Sequence, residues 1–114
     1  MMEKLRKINT FHISLFTHFL EQLDSIRDGD GNTLLDNSMV VYGGGLSDGN
    51  LHTQANLPVL FGGAQRGQLR GGVHLRYSAE TPITNLFLSM LDMMGVPVDS
   101  LGDSTGRLNC LSLV

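Results

Sequence analysis

An unbroken apolar run, Met39-Val40-Val41-Tyr42, leads directly into Gly43-Gly44-Gly45 and then into the polar stretch Ser47-Asp48-Gly49-Asn50-Leu51-His52. A run with no polar alternation suits a strand covered on both faces, as in a parallel sheet. In open α/β sheets, ligands gather beyond the carboxyl ends of such strands, which is where Asp48 and His52 would fall. Glycine supplies 14 of the 114 residues, well above the average of about 7%. The glycines cluster between Gly43 and Gly72, as expected of backbone that turns sharply or approaches a ligand closely.

The rest of the chain reads as scaffold around this edge. From Met2 to Ile26, apolar residues recur every three or four positions (Leu5, Ile8, Phe11, Leu15, Phe16, Phe19, Leu20, Leu23, Ile26). This spacing predicts a long amphipathic helix with one wide apolar face. Glu3 and Lys7 add an i,i+4 pair, and Arg27-Asp28-Gly29 is the expected stop, with glycine just past the end. A first strand is expected over Ser38–Tyr42. A second buried strand is expected in Leu57-Pro58-Val59-Leu60-Phe61, with Pro58 near its entrance. Ala64–Gly72 reads as a surface loop, and Val73-His74-Leu75-Arg76-Tyr77 alternates like a half-exposed strand. Thr81 and Pro82 form an N-cap and first-turn signature for a second helix, Thr81–Met94, with apolar face Ile83, Leu86, Phe87, Met90, Leu91 and Met94 and closing glycine Gly95.

The whole is one partial α/β domain: two or three strands of a mainly parallel sheet, flanked by two helices. The helical pattern begins at the first residues with no cap and no leading strand, an odd place for a domain to start, so the chain reads as incomplete.

Composition narrows the function. A net charge of −3 disfavours nucleic acid, which selects a basic face. No apolar run is long enough for a membrane span. Cys110 is the only cysteine, so neither a disulfide framework nor a cysteine metal cage is available. It reads as a small hydrophobe in an apolar tail. No lysine follows Lys7, which removes a P-loop, and Asp48 stands where a dinucleotide fingerprint counted from Gly43 needs glycine. Asp28-Gly29-Asp30-Gly31-Asn32 has the alternating oxygens of a calcium loop. Thr33 and Met39, however, occupy the places of its glycine and its bidentate glutamate, and turn chemistry explains the residues better.

Three groups of side chains could carry chemistry. Asp48, Asn50 and His52 offer a carboxylate, an amide oxygen and an imidazole, all able to hold a divalent cation such as zinc or calcium; as polar turn residues they need no metal. His74 and Arg76, with Tyr77, could form an anion-binding surface. His12 and His18 lie on or beside the apolar helix face and read as backbone-bonded histidines. No nucleophile elbow is present.

Several short blocks then fall in a familiar order: Lys7-Ile8-Asn9, Phe11-His12, Leu34-Leu35-Asp36-Asn37-Ser38-Met39, Ser47-Asp48-Gly49-Asn50, His52, Asn56-Leu57-Pro58, His74-Leu75-Arg76-Tyr77, Met94-Gly95-Val96-Pro97-Val98 and Gly102-Asp103-Ser104-Thr105-Gly106. Together they resemble the C-terminal part of the bacterial HXXSHH-motif family, whose naming motif would lie upstream. That family in turn resembles the alkaline phosphatase and sulfatase superfamily. The resemblance implies that Asp48 is the first metal ligand, assisted by Asn50 or His52, and that the 81–97 segment forms a helix behind the sheet. It also implies export to the periplasm or cell envelope. Where the family pattern has a second histidine followed by an acidic residue, this chain has Gln54 and Ala55.

Two functions follow as expectations. One is the metal-binding half of a hydrolase of phosphate or sulfate esters, with the nucleophile supplied by an upstream part of its own chain and an anionic ester as substrate. The other is a non-catalytic exported or envelope binding protein with a degenerate metal site.

Overall fold

The computed structural model describes residues 1–78 and 80–108, and Cys110 lies outside them. Four elements follow one another: α1 (Met2–Ser25), β1 (Val40–Gly43), β2 (Val59–Gly62) and α2 (Thr84–Met93). The expected pair of helices is present. The expected mainly parallel sheet is not.

β1 and β2 form a two-stranded antiparallel ribbon, with Val40 opposite Gly62, Val41 opposite Phe61, Tyr42 opposite Leu60 and Gly43 opposite Val59. The reason lies in the connection. A parallel return needs a crossover, usually a helix, whereas residues 44–58 contain only turns and an isolated bridge between Asp48 and Thr53. An alkaline-phosphatase-like arrangement is therefore overturned for this chain. The apolar runs are not covered on both faces either: β1 is only half-buried, and Leu60 on β2 is 41% exposed. Residues 73–77 form no strand; alternation alone builds none without a neighbouring edge to pair with.

α1 lies on the ribbon through one part of its apolar arc. The Phe16 and Tyr42 rings sit 5.3 Å apart. Leu20 reaches the sheet at Gly62, where an added Cβ would meet its methyl groups at 2.9 Å. Leu5 covers the turn at Gly49. No residue of α1 is fully buried. The helix ends when Ile26 turns extended, and Leu34 and Leu35 donate their N–H groups to the carbonyls of Ile26 and Leu23. Gly29 is therefore not the capping glycine expected from the sequence. The left-handed residue of this loop is Gly31, at φ 88°.

α2 carries the core. Leu88 is fully buried, with Leu86 on the same helix and Leu69 from the preceding loop. The helix starts later than Thr81 and Pro82 suggest, with Ile83 at the N-cap and no side-chain cap. Thr81 instead closes a turn on the carbonyl of Ser78. The other end follows the sequence: Gly95 is left-handed at φ 74°, its N–H donates to Asp92, and that of Val96 donates to Leu91. This is the two-bond glycine stop of a Schellman motif.

The two halves meet at Gly63. The N–H groups of Ala64, Gln65 and Arg66 donate to the carbonyls of Leu35, Ser38 and Asp36, and the buried Gln65 amide donates to the Met93 carbonyl at the end of α2. Gly63 has φ 99°, and a Cβ there would lie 2.1 Å from the Ser38 oxygen. Gly63→Ala is therefore expected to destabilise the protein by more than about 2 kcal/mol, since left-handed strain and backbone displacement add. Gly29→Ala, with nothing within 4 Å, is expected to stay within about 1 kcal/mol of the parent. Urea denaturation of both variants checks the contrast; equal midpoints would refute it.

Candidate functional site

Residues 44–58 form the loop that joins the two strands, and Asp48 organises it. One oxygen of its carboxylate, Oδ1, accepts the N–H groups of Asn50 at 2.8 Å and Leu51 at 3.1 Å. Ser47 closes the loop from the other side. Its N–H donates to the Thr53 carbonyl at 2.8 Å, and its hydroxyl lies 2.8 Å from that of Thr53. A short carboxylate bonding N–H groups two and three residues ahead is the Asx-turn favoured at such positions. The polar turn that composition allowed is thus what the backbone builds.

Asp48 is half-buried, while Asn50 and His52 are exposed. His52 stands in the left-handed region at φ 55°, an uncommon conformation for a residue with a side chain. The structure brings Asp48, Asn50 and His52 into one turn, as their spacing requires. It supplies no further ligand: among the described residues, no three His, Cys, Asp or Glu side chains converge as a metal-holding group. The zinc or calcium implied by the family resemblance needs three or four protein ligands, or six to eight oxygens. Within this turn Asp48, Asn50 and His52 are the side chains able to contribute to that number. Gln54 and Ala55 are exposed in the same loop, where the resemblance expects a second imidazole and a carboxylate.

His74 and Arg76 lie on the extended 73–78 segment, and both are exposed. No hydrogen bond or ion pair joins either to the Asp48 turn among the described residues. Two surface depressions lie elsewhere. One is lined by Asp30, Asn32, Asp36, Ala64, Arg66 and Gly67. The other is an apolar groove of about 640 Å³ between the Asn37–Met39 stretch and α2, with Phe87, Met90, Leu91 and Met94 on its wall. Neither includes Asp48, Asn50, His52, His74 or Arg76.

Sequence reasoning passed over the polar residues that hold these walls. Thr33 and Asp36 bond reciprocally: the Thr33 N–H donates to the Asp36 carboxylate at 2.9 Å, and the Asp36 N–H donates to the Thr33 hydroxyl at 3.0 Å. Geometrically this is a capping box, and Thr33 is buried. On α2, the buried Asn85 amide both accepts the Thr105 N–H at 2.8 Å and donates to the Thr105 hydroxyl at 3.1 Å. Ser89 one turn later accepts the Leu108 N–H at 2.9 Å. The available signal was a polar pair four residues apart within a mainly apolar helix. These groups bind residues 105–108 to α2, and an Arg107–Asp92 ion pair reinforces them.

Comparison of the chain with family models, with curated proteins and with solved structures gave no match in any of the three.

The hydrogen bonds set an acid sensitivity. Asp36 is held below the ordinary carboxylate range, first by the Thr33 N–H and then by its hydroxyl. Asp30 is lowered first by the Asn32 N–H and then by the Asn37 amide. Asp92 is lowered by the Arg107 guanidinium. A carboxylate depressed on folding stabilises the protein above its unfolded value of about 3.9, and that contribution is lost as pH falls through the folded value. Thermal midpoints should therefore hold steady down to about pH 5 and then drop, less steeply in Asp36→Asn than in the parent. Parallel curves for the two proteins would show that the Thr33–Asp36 pair contributes nothing.

Proposed function

We propose that this chain acts as a non-catalytic binding protein of the HXXSHH type, in which the Asp48 loop is a structural turn and not a metal centre. The observation that carries the reading is the double hydrogen bond from the Asn50 and Leu51 N–H groups to Asp48 Oδ1. A carboxylate oxygen engaged in this way has its lone pairs directed at its own backbone. The replacement of the expected histidine and acidic residue by Gln54 and Ala55 supports the same conclusion. The apolar groove beside α2 supplies what a binding role needs: a concave, mainly hydrophobic wall with a few polar groups, here Asn37, Ser38 and Gln65. An exported or envelope location belongs to the same proposal and rests on the family resemblance alone.

One observation favours a second reading, the metal-binding half of a phosphate- or sulfate-ester hydrolase. His52 is held at φ 55° on the same turn as Asp48, and residues kept in sparsely populated backbone regions cluster at functional sites. In that case an anionic ester would meet His74 and Arg76, and the nucleophile would come from outside the described residues.

Metal analysis of the purified protein separates the two. The binding proposal expects no stoichiometric zinc or calcium, and Asp48→Ala is expected to cost about 1 kcal/mol of stability through loss of the turn's hydrogen bonds. Stoichiometric metal in the parent that disappears in Asp48→Ala would overturn the proposal and establish the hydrolase reading's metal site.

A further inference from the structure

The apolar arc of α1 is wider than the ribbon beneath it. Leu5, Phe16, Leu20 and Leu23 face the sheet side and are half-buried. Ile8, Phe11, Leu15 and Phe19 form a second stripe beside them and remain 49–59% exposed. At about 100° per residue these four fall within roughly an 80° arc along the middle of the helix. A continuous apolar stripe of this kind marks an interaction surface.

The charges along α1 specify what fits it. Between Ile8 and Leu20 there is no Asp, Glu, Lys or Arg. The N-terminal end carries Lys4, Arg6 and Lys7 against the single Glu3, and the C-terminal end carries Glu21 and Asp24. All six are exposed. The helix is therefore free of Asp, Glu, Lys and Arg in the middle, basic at one end and acidic at the other. It is complementary to itself when reversed. A parallel copy would set like charge on like.

We propose that a second copy of this chain covers the stripe, with α1 packed antiparallel on α1 about a two-fold axis near Ser14. That register brings Lys7 level with Glu21 of the other copy. Lys7 and Glu21 lie on the same flank of the stripe, and an antiparallel pair brings each flank against the same flank of the other helix. The arrangement is isologous, so each contact occurs twice. The opposed helix dipoles favour the same direction.

The area fixes the strength expected. Four half-exposed side chains offer on the order of 400 Å² per copy, taking about 200 Å² as the surface of a large apolar side chain. Two copies then bury about 800 Å², the size of a weak, transient contact. The dimer is accordingly a micromolar one whose charged ends weaken as salt rises.

Sedimentation equilibrium of the full chain between about 1 and 200 μM, a window that brackets micromolar dissociation, tests the proposal. The parent should pass from monomer to dimer across this range. Lys7→Glu should raise the dissociation constant at least tenfold by setting a like charge against Glu21 of the other copy, and Glu21→Lys should do the same by setting one against Lys7. Mixing these two variants should restore a one-to-one dimer, and combining both substitutions in one chain should restore the homodimer. Phe11→Glu, a change at an exposed position that leaves the ribbon contacts in place, should abolish association while keeping the parent's helical circular dichroism. A parent that stays monomeric throughout would assign the stripe to some other occupant and overturn the proposal. A dimer indifferent to both charge reversals would overturn it as well.

Discussion

The close approach of two backbones at Gly63 is the constraint on which the rest of this structure depends. A side chain there would occupy the space of the Ser38 carbonyl, and only through that approach do the following three N–H groups find their partners on residues 35–38. The same segment then delivers Gln65 to the end of α2 and Leu69 to the core beside it. The α1–ribbon half and the α2 half are thus joined mainly by backbone hydrogen bonds and one buried amide. Burial of large apolar surface plays a smaller part, and the core is correspondingly small. Among the described residues three hydrophobic ones are buried, and the radius of gyration, 15.6 Å, exceeds the ~13 Å of a compact chain near this length.

A small core shifts the work of specifying the structure onto polar pairs. Thr33 with Asp36, Asn85 with Thr105, Ser89 with the Leu108 backbone and Asp92 with Arg107 each fix a segment that has no regular structure of its own. Each buried polar atom in these pairs finds a partner, which is the condition for burying it without penalty. The same economy leaves apolar surface uncovered on α1. A two-stranded ribbon is narrower than the hydrophobic arc of the helix lying on it, so half of that arc meets solvent. The functional surfaces under discussion, the groove beside α2 and the open stripe of α1, both follow from this shortage of covering layers.

The candidate site illustrates how spacing and geometry differ in what they can say. Asp48, Asn50 and His52 lie within one turn because five consecutive residues containing glycine have few other options. That much was legible. How the Asp48 carboxylate meets its own N–H groups depends on the path of the loop between two antiparallel strands, and here Oδ1 accepts two of them. His74 and Arg76 gave a plausible charge pattern, but pattern does not place two distant segments side by side, and no bond links them to the Asp48 turn among the described residues.

The sequence by itself determined the local elements. Apolar spacing marked α1, two short runs marked the strands, and Gly95 marked the end of α2, because helix period, strand composition and glycine's left-handed freedom are properties of a few neighbouring residues. Strand direction was decided only in three dimensions. The runs at β1 and β2 read as buried strands of a parallel sheet, and with no crossover element between them the chain pairs them antiparallel instead. The start of α2 was likewise decided by the turn that Thr81 makes with Ser78, and the cover on α1 by the width of the ribbon beneath it. Long-range partners, not residue preferences, set those outcomes, since a hydrogen bond or a covering surface exists only where the chain returns to supply it.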